Sequence, residues 1–484
     1  MKELNALKSS FFNSSQELNN KFQSFHDFLS WFDQKGKNFF SVEEIPFESL
    51  DQWYFSENKD SLVHQTGKFF KIEGIKIRTN FGSVNEWEQP IINQPEIGIL
   101  GILTKVIDDV RYFLMQVKME PGNVNILQLS PTVQATKSNF SRVHKGKLPS
   151  YLEYFINTEK SKILIDQLQT EQGGRFLRKR NRNMVVEVMD EIEVLDDFCW
   201  LTLGEIKKLL RIDNFVNMDA RSVISTIPLV DDSLIDQLQH RNLNNEDGIA
   251  INNKVYRGVN YDLLISAATQ ISSISSKDQI ISWYTGMKVN YELNTTKIPL
   301  SDLKGWRISD MDIRHSDRFF SVVGVKVNAG TREVTSWTQP LIKDKNIGLL
   351  GFVAKKMDGV LHFLVQAKVE PGNLDVIELS PTVSCSNYDY LIQNPDNRPP
   401  FFELFLNSNH AVRILINTLQ SEEGGRFYQM QNRNMIIVLD EEVEMVIPAN
   451  YCWMTLNQMM DFMRYSMFNI EARSLISSIE FNNE

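Results

Sequence analysis

Apolar and polar residues alternate along several short runs of this chain, and the whole pattern returns once at a nearly fixed spacing. In FLMQVKMEPGN (113–123), Phe113, Met115, Val117 and Met119 point to one side of a predicted strand, and Gln116, Lys118 and Glu120 point to the other. The run returns as FLVQAKVEPGN (363–373), with 8 of 11 residues identical at an offset of 363 − 113 = 250. KFFKIEGIKIRT (68–79) and RFFSVVGVKVNA (318–329) also read as strands. GILGILTKVIDDVRYFLMQVKM and its counterpart GLLGFVAKKMDGVLHFLVQAKV read as strand pairs around an Asp-containing turn. EPGN places Pro and Gly at the centre of an expected type II turn. ILQLSP, VIELSP, NMVVEVMD and NMIIVLDE continue the strands. HDFLSWFDQ (26–34) and DQIISWYTG (278–286) have helical periodicity, and SYLEYFINT together with KILIDQLQ is also expected to be helical. Trp200-Leu201-Thr202 starts a helix with Thr202 as N-cap and Glu205 three residues on, a capping box that Thr455 and Gln458 repeat.

The repetition extends over most of the chain. LSPTV, EQGGRF/EEGGRF and NRNM recur, and all 8 tryptophans form matched pairs: Trp31/Trp283, Trp53/Trp306, Trp87/Trp337 and Trp200/Trp453. The pattern predicts a duplicated domain. An N-terminal arm spans 1–22, a first copy 23–228, a linker 229–252 and a second copy 253–484. Strands dominate the middle of each copy and helices flank them, so the expected fold is α+β, with a mixed β-sheet in each copy.

Composition narrows the function. The net charge of −10 provides no global field for nucleic acid. An anionic ligand would need a local basic cluster. Three cysteines, two of them at equivalent positions (Cys199 and Cys452), form no disulfide framework and fit a reducing compartment. Neither a signal peptide nor a run of 18 apolar residues is evident, so a soluble cytoplasmic protein is expected. HxxxH, HxH, CxxC, GxGxxG, GxxxxGK[ST] and GxSxG are all absent. No metal site, dinucleotide fold or P-loop is therefore expected.

The two copies disagree most in their basic residues. After LSPTV, copy one has Lys137, Arg142, His144, Lys145 and Lys147, where copy two has only Arg398. After GGRF, copy one has Arg178, Lys179, Arg180 and Arg182, where copy two retains only Arg433. Guanidinium forks and ammonium groups suit a diphosphate. An anion site kept in copy one and vestigial in copy two explains both differences together. A solvated basic surface that drifted is the other reading. His144 reads either as a proton-transfer or phosphate group or as an ordinary surface histidine. The Gln116, Lys118 and Glu120 face reads either as solvated or as ligand-lining.

The segments EPGN, QLSPTVQAT, SNFSRVH, YLEYF, EQGGRF and KRNRNM, duplicated with variations, resemble the NDP-hexose 2,3-dehydratases over nearly the whole chain. The resemblance implies tandem Nudix-like domains, a homodimer, and dTDP-4-keto-6-deoxy-D-glucose as substrate. The implied reaction gives a 3,4-diketo-2,6-dideoxy sugar nucleotide, which a separate ketoreductase then takes, and no redox cofactor is needed. The Nudix metal box is missing from both copies. A Nudix-type pyrophosphatase and a non-catalytic sugar-nucleotide binding protein are the alternatives. The expected acid–base groups are His144, with Tyr151, Tyr154 and Glu120 behind it. Gln116 or Lys118 is expected to hold the enolate. Arg142, Arg175, Arg178, Arg180 and Arg182 are expected at the diphosphate. Thr132, Gln134, Thr136 and Asn183 complete the expected substrate contacts. Trp87 is a candidate for the base or sugar, although its recurrence as Trp337 favours core packing. Arg178→Ala or Arg180→Ala is expected to weaken dTDP binding in calorimetric titration, and Gln429→Ala is not.

Overall fold

The computed structural model describes residues 2–136, 148–157, 159–230, 249–251, 254–256, 258–268, 273–316, 320–330, 334–406 and 412–482. Most of the expected linker, and Arg142 and His144 with it in kind, lie outside the described residues.

The chain is mixed α/β. Each copy builds a seven-stranded mixed sheet. In copy one the order is Lys162–Thr170, Arg180–Glu187, Gly98–Ile107, Val110–Met119 and Phe198–Thr202, with Leu127–Ser130 and Val133–Ala135 attached along the path. Arg180–Glu187 runs parallel to Gly98–Ile107, and the other pairings are antiparallel. Copy two repeats the parallel pair with Gly348–Met357 and Gln431–Leu439. The alternation seen in the sequence is the cause. Phe113, Met115, Val117 and Met119 all enter one core, together with Leu201, Ile206 and Val223. The two-residue turns at Asp108-Asp109 and Asp358-Gly359 have positive φ throughout, as the tight hairpin requires. Both capping boxes form as expected, on helices Leu203–Leu209 and Leu456–Met463, although Phe198–Thr202 itself is a strand.

Two expectations are corrected. KILIDQLQ is a strand, paired antiparallel to residues 180–187 with a bulge between Ile163 and Ile165, and only Glu153–Ile156 is helical. The bulge breaks strict alternation, which is why the run mimicked a helical period. The EPGN turn is not type II, because Gly122 and Gly372 are not among the positive-φ glycines. These glycines serve close approach instead. A Cβ at Gly122 would collide with the carbonyl of Phe427, and one at Gly372 with the carbonyl of Phe176.

Those collisions reveal how the copies are joined. Each GGRF loop packs on the EPGN turn of the other copy. Gly122 N donates to Gly424 O at 2.8 Å, and Gly372 N donates to Gly173 O at 2.7 Å. The reciprocity extends to strands. Phe40–Ile45 of copy one pairs with Ser321–Ala329 of copy two, and Leu293–Ile298 of copy two pairs with Lys71–Thr79 of copy one. Trp53 Nε1 donates to Thr338 O at 3.1 Å, and Trp306 Nε1 donates to Glu88 O at 2.8 Å. A shared core mixes Phe47, Trp53, Phe70 and Phe176 with Leu300, Phe320, Val322 and Phe427. The N-terminal arm is a helix, Lys2–Ser15, whose neighbouring Phe11 and Phe12 enter the separate cores of copies one and two.

Gly122→Ala should lower unfolding free energy by about 1–3 kcal/mol or more, because the carbonyl it meets is backbone and cannot swing aside. Gly286→Ala, in the helix Lys277–Asn290 with nothing near its Cβ, should be neutral or stabilising by up to ~1 kcal/mol. Urea denaturation of both variants checks the pair.

Candidate active site

Exchange of the GGRF loops encloses a polar cluster in each copy. In copy one, Lys118 lies at the end of strand Val110–Met119, with its Nζ 2.9 Å from Glu120 Oε1 and 2.9 Å from Gln134 Oε1. Gln134, on strand Val133–Ala135, also accepts from Ser130 Oγ at 2.5 Å and donates through its amide to the Asp219 carboxyl. Asp219 sits in the first turn of helix Met218–Ser225, which Asn217 caps. Glu171 approaches from the end of strand 162–170 and accepts from Asn181 Nδ2 at 2.7 Å. Lys179 donates to the carbonyl of Glu96. Copy two supplies the remaining wall. Gly424 presses against Glu120, and Arg426 donates to Gln94 Oε1 at 3.1 and 3.0 Å while its guanidinium lies 4.2 Å from the Phe70 ring centroid. Glu423 immediately precedes Gly424 in the same loop.

This crowding holds carboxyls in the protonated form. Burial, reinforced by Glu423 and Glu120 and opposed by Lys118 and Gln134, raises Asp219 to about 8. Burial and Asp219 raise Glu171 to about 7, against Arg473, Lys179 and Asn181. Burial raises Glu423 to about 7, with Arg426 and Lys179 opposing and Glu171 and Glu120 reinforcing. Burial pulls the Lys179 ammonium below its ordinary value, against the pull of Glu171 and Glu423. A lysine paired with a carboxylate, facing carboxyls that keep protons near neutral pH, can both take and give protons.

The matching cluster in copy two is simpler. Lys368 Nζ lies 2.9 Å from Glu370 Oε1 and 3.0 Å from Ser384 Oγ, and burial holds Glu471 well above its ordinary value. Arg175 of copy one stacks on Phe320 of copy two at 3.9 Å. Gln134, Lys179 and Glu423 of the first cluster correspond to Ser384, Met430 and Gln172 in the second.

Two fully buried arginines link the clusters. Arg221 donates to Ser421 O at 2.6 Å and to Ser474 Oγ at 2.8 Å. Arg473 donates to Thr170 O and to Ser222 Oγ at 3.4 Å. Each therefore grips the residue immediately before a loop acid, Glu422 or Glu171.

Of the residues expected from sequence, Lys118, Glu120 and Gln134 come together in this cluster. Gln116 lies on the same strand and is half-buried. Thr136 follows Gln134 at the strand end. Arg142 and His144 lie outside the described residues. Tyr151 is engaged elsewhere: its hydroxyl donates to Glu193 O at 2.7 Å and accepts from Leu195 N at 2.9 Å, and Tyr154 packs beside it. Thr132 is a corner, donating to Leu114 O and accepting from Leu103 N. Asn183 is buried and accepts from Ser222 Oγ at 2.9 Å. Trp87 acts as a strut: it donates to Gln89 Oε1 at 2.9 Å, and Gln89 in turn donates to Gly174 O at 3.0 Å, a chain that Trp337, Gln339 and Gly425 repeat. Arg182 is paired with Asp166 through two bonds of 2.7 and 2.6 Å. Arg178 and Arg180 lie against copy two. Arg178 N donates to Gly372 O at 2.7 Å, and Arg180 lines a cleft of about 440 Å³ with Tyr284, Lys288, Glu378 and Tyr465. Sequence reading passed over Asp219, Glu171, Glu423 and Arg426. The repeats NMDARS/NIEARS and EQGGRF/EEGGRF carried the signal, but the exchange of loops that joins them in space was not legible.

A duplicated mixed α/β scaffold enclosing a lysine and proton-holding carboxyls defines an acid–base enzyme. The chain belongs to the NDP-hexose 2,3-dehydratase family, whose model matches residues 25–227 and again 277–479. It is similar to dTDP-4-dehydro-6-deoxy-alpha-D-glucopyranose 2,3-dehydratases of three organisms. The Saccharopolyspora spinosa protein is 44% identical, with 94% of this chain and 90% of the relative covered. The Amycolatopsis orientalis protein is 40% identical, covering 94% and 89%. The Streptomyces violaceoruber protein is 38% identical, covering 93% and 96%.

Between about pH 4 and pH 8, the folded protein holds protons on Asp219, Glu171 and Glu423 that the unfolded chain has released, so these groups make stability fall as pH rises. Asp219→Asn removes the Asp219 share. Relative to the parent, its stability should improve by at least about 1 kcal/mol on moving from about pH 5 to about pH 8. Urea denaturation at the two pH values measures this.

Proposed function

We propose that this chain removes the C2 hydroxyl of dTDP-4-keto-6-deoxy-D-glucose as water and yields dTDP-3,4-diketo-2,6-dideoxy-D-glucose. The observation that carries this reading is the Lys118–Glu120–Gln134 cluster within a chain of this family. The C4 ketone acidifies the C3 proton. Glu120, paired with Lys118, takes that proton. The Lys118 ammonium and the Gln134 amide hold the enolate oxygen. Proton transfer of this kind contributes about 10²–10⁴-fold, and one well-placed oxyanion donor about 3 kcal/mol.

The remaining assignments belong to the same proposal. His144 and Arg142 complete the contact set from the segment that follows Thr136. Arg175, Arg178 and Arg180 offer guanidinium groups to phosphate from the side facing copy two. The copies descend from a Nudix-like module put to a different chemistry, and the chain acts as a homodimer that passes its product to a separate ketoreductase in the cytoplasm. Among the described residues, no helix is long and apolar enough to cross a membrane.

Incubation with dTDP-4-keto-6-deoxy-D-glucose and a trapping ketoreductase should yield a reduced product that has lost one water and gained two hydrogens relative to the substrate. Glu120→Gln should lower kcat by about 10²-fold or more with little change in KM, read by mass spectrometry of the trapped product. Wild-type protein that leaves the C2 hydroxyl in place would reject the reading.

A further inference from the structure

Glu423 and Gln172 occupy equivalent positions in the two exchanged loops, 423 − 172 = 251 residues apart, like the NRNM repeats. Their surroundings differ. Gln172 donates through Nε2 to Glu422 Oε1 at 3.3 Å, so its side chain is engaged within its own cluster. The Glu423 carboxyl makes no hydrogen bond or ion pair with the described residues; its surroundings desolvate it, while the residue as a whole keeps some exposed surface. It is nonetheless fixed in place. Its own carbonyl accepts from Arg426 N at 3.0 Å and Phe427 N at 2.9 Å. The next residue, Gly424, is clamped to the 120–123 turn through Gly122. The charged groups around it are Arg426, Lys179, Glu171, Glu120 and Asp219. Glu423 is thus a carboxyl delivered beside the proposed base, Glu120, with its polar atoms uncommitted.

We propose that Glu423, carried by the C-terminal copy into the N-terminal copy's site, is the acid that releases the C2 hydroxyl as water, and that Gln172 leaves the other site without this step. The inference rests on the dehydratase reading. Glu120 takes the C3 proton, and the C3–H electrons form the C3=C4 enolate. The enolate collapses to restore the C4 carbonyl, forms C2=C3 and breaks the C2–O bond. Glu423 gives its proton to the departing oxygen, and water leaves. The C3 enol then loses its hydroxyl proton and gains one at C2 to become the ketone. Solvent exchange returns a proton to Glu423 and removes one from Glu120. An amide at the matching position has no proton of comparable acidity to give.

The test uses the full-length protein in D₂O with dTDP-4-keto-6-deoxy-D-glucose. Proton abstraction is followed as deuterium entering C3, and elimination as loss of water from the trapped product. E423Q should keep C3 exchange while dehydration falls by about 10²-fold, with E423D recovering part of it. Wild-type kcat should fall above about pH 7, and this fall should be absent in E423Q. Retained exchange shows that the variant is folded and binds substrate. Dehydration by E423Q within threefold (roughly, a difference under 1 kcal/mol) overturns the inference, as does equal loss of exchange and dehydration in a variant that melts like wild type. Wild-type protein that neither exchanges C3 nor loses water would instead remove the dehydratase reading itself.

Discussion

The approach of each GGRF loop to the other copy's EPGN turn is the constraint on which the rest depends. Gly122 and Gly372 leave no room for a side chain, and each meets the opposite loop through a backbone hydrogen bond. This contact brings Gly424 against Glu120, sets the neighbouring Glu423 within Glu120's electrostatic reach, places Arg175 over Phe320, and aligns Phe176 with Phe427 in the shared core. Without it, Lys118, Glu120 and Gln134 would line an open groove. With it, they lie in a crowded pocket of low polarizability where protons stay on carboxyls near neutral pH.

The exchange changes what a gene copy means in this protein. Each polar cluster takes its lysine-bearing strand from one copy and a loop side chain from the other, Glu423 in the first and Gln172 in the second. A difference between copies is therefore not a difference between sites until the exchange is resolved. The basic residues after the first GGRF illustrate this. Arg178 and Arg180 belong to copy one by sequence, yet they lie against the 372–378 segment and helix 277–290 of copy two. The clusters nonetheless remain unequal, because Gln134, Lys179 and Glu423 converge on one of them and Ser384, Met430 and Gln172 on the other.

Much of the fold was legible because alternation is a local signal. Phe113 through Met119, the Asp108-Asp109 hairpin and the Thr202 and Thr455 caps all follow from spacing within a few residues. Strand 162–170 was misread because its bulge shifts the phase midway. The EPGN glycine was misread because its reason is tertiary: it avoids Phe427, roughly 300 residues away in sequence, rather than supplying positive φ. The same distinction governs the site. Lys118 and Glu120 were legible as candidates from one polar strand face, and Gln134 only alongside the family resemblance. Glu423 was not, because only the path of the chain between the copies places it there.

The strand exchange also bears on how this protein is made. Residues 74–79 of strand 71–79 have an open edge until residues 293–298 arrive to pair with it. At cellular synthesis rates this takes roughly 10–40 s. Throughout that interval a β-rich edge with buried-type isoleucines on either side is presented to solvent or to neighbouring nascent chains on the same messenger. Residues 40–45 wait longer still for 321–329. Ribosome spacing and chaperone supply, rather than final stability, are then the quantities that set the yield of correctly paired molecules.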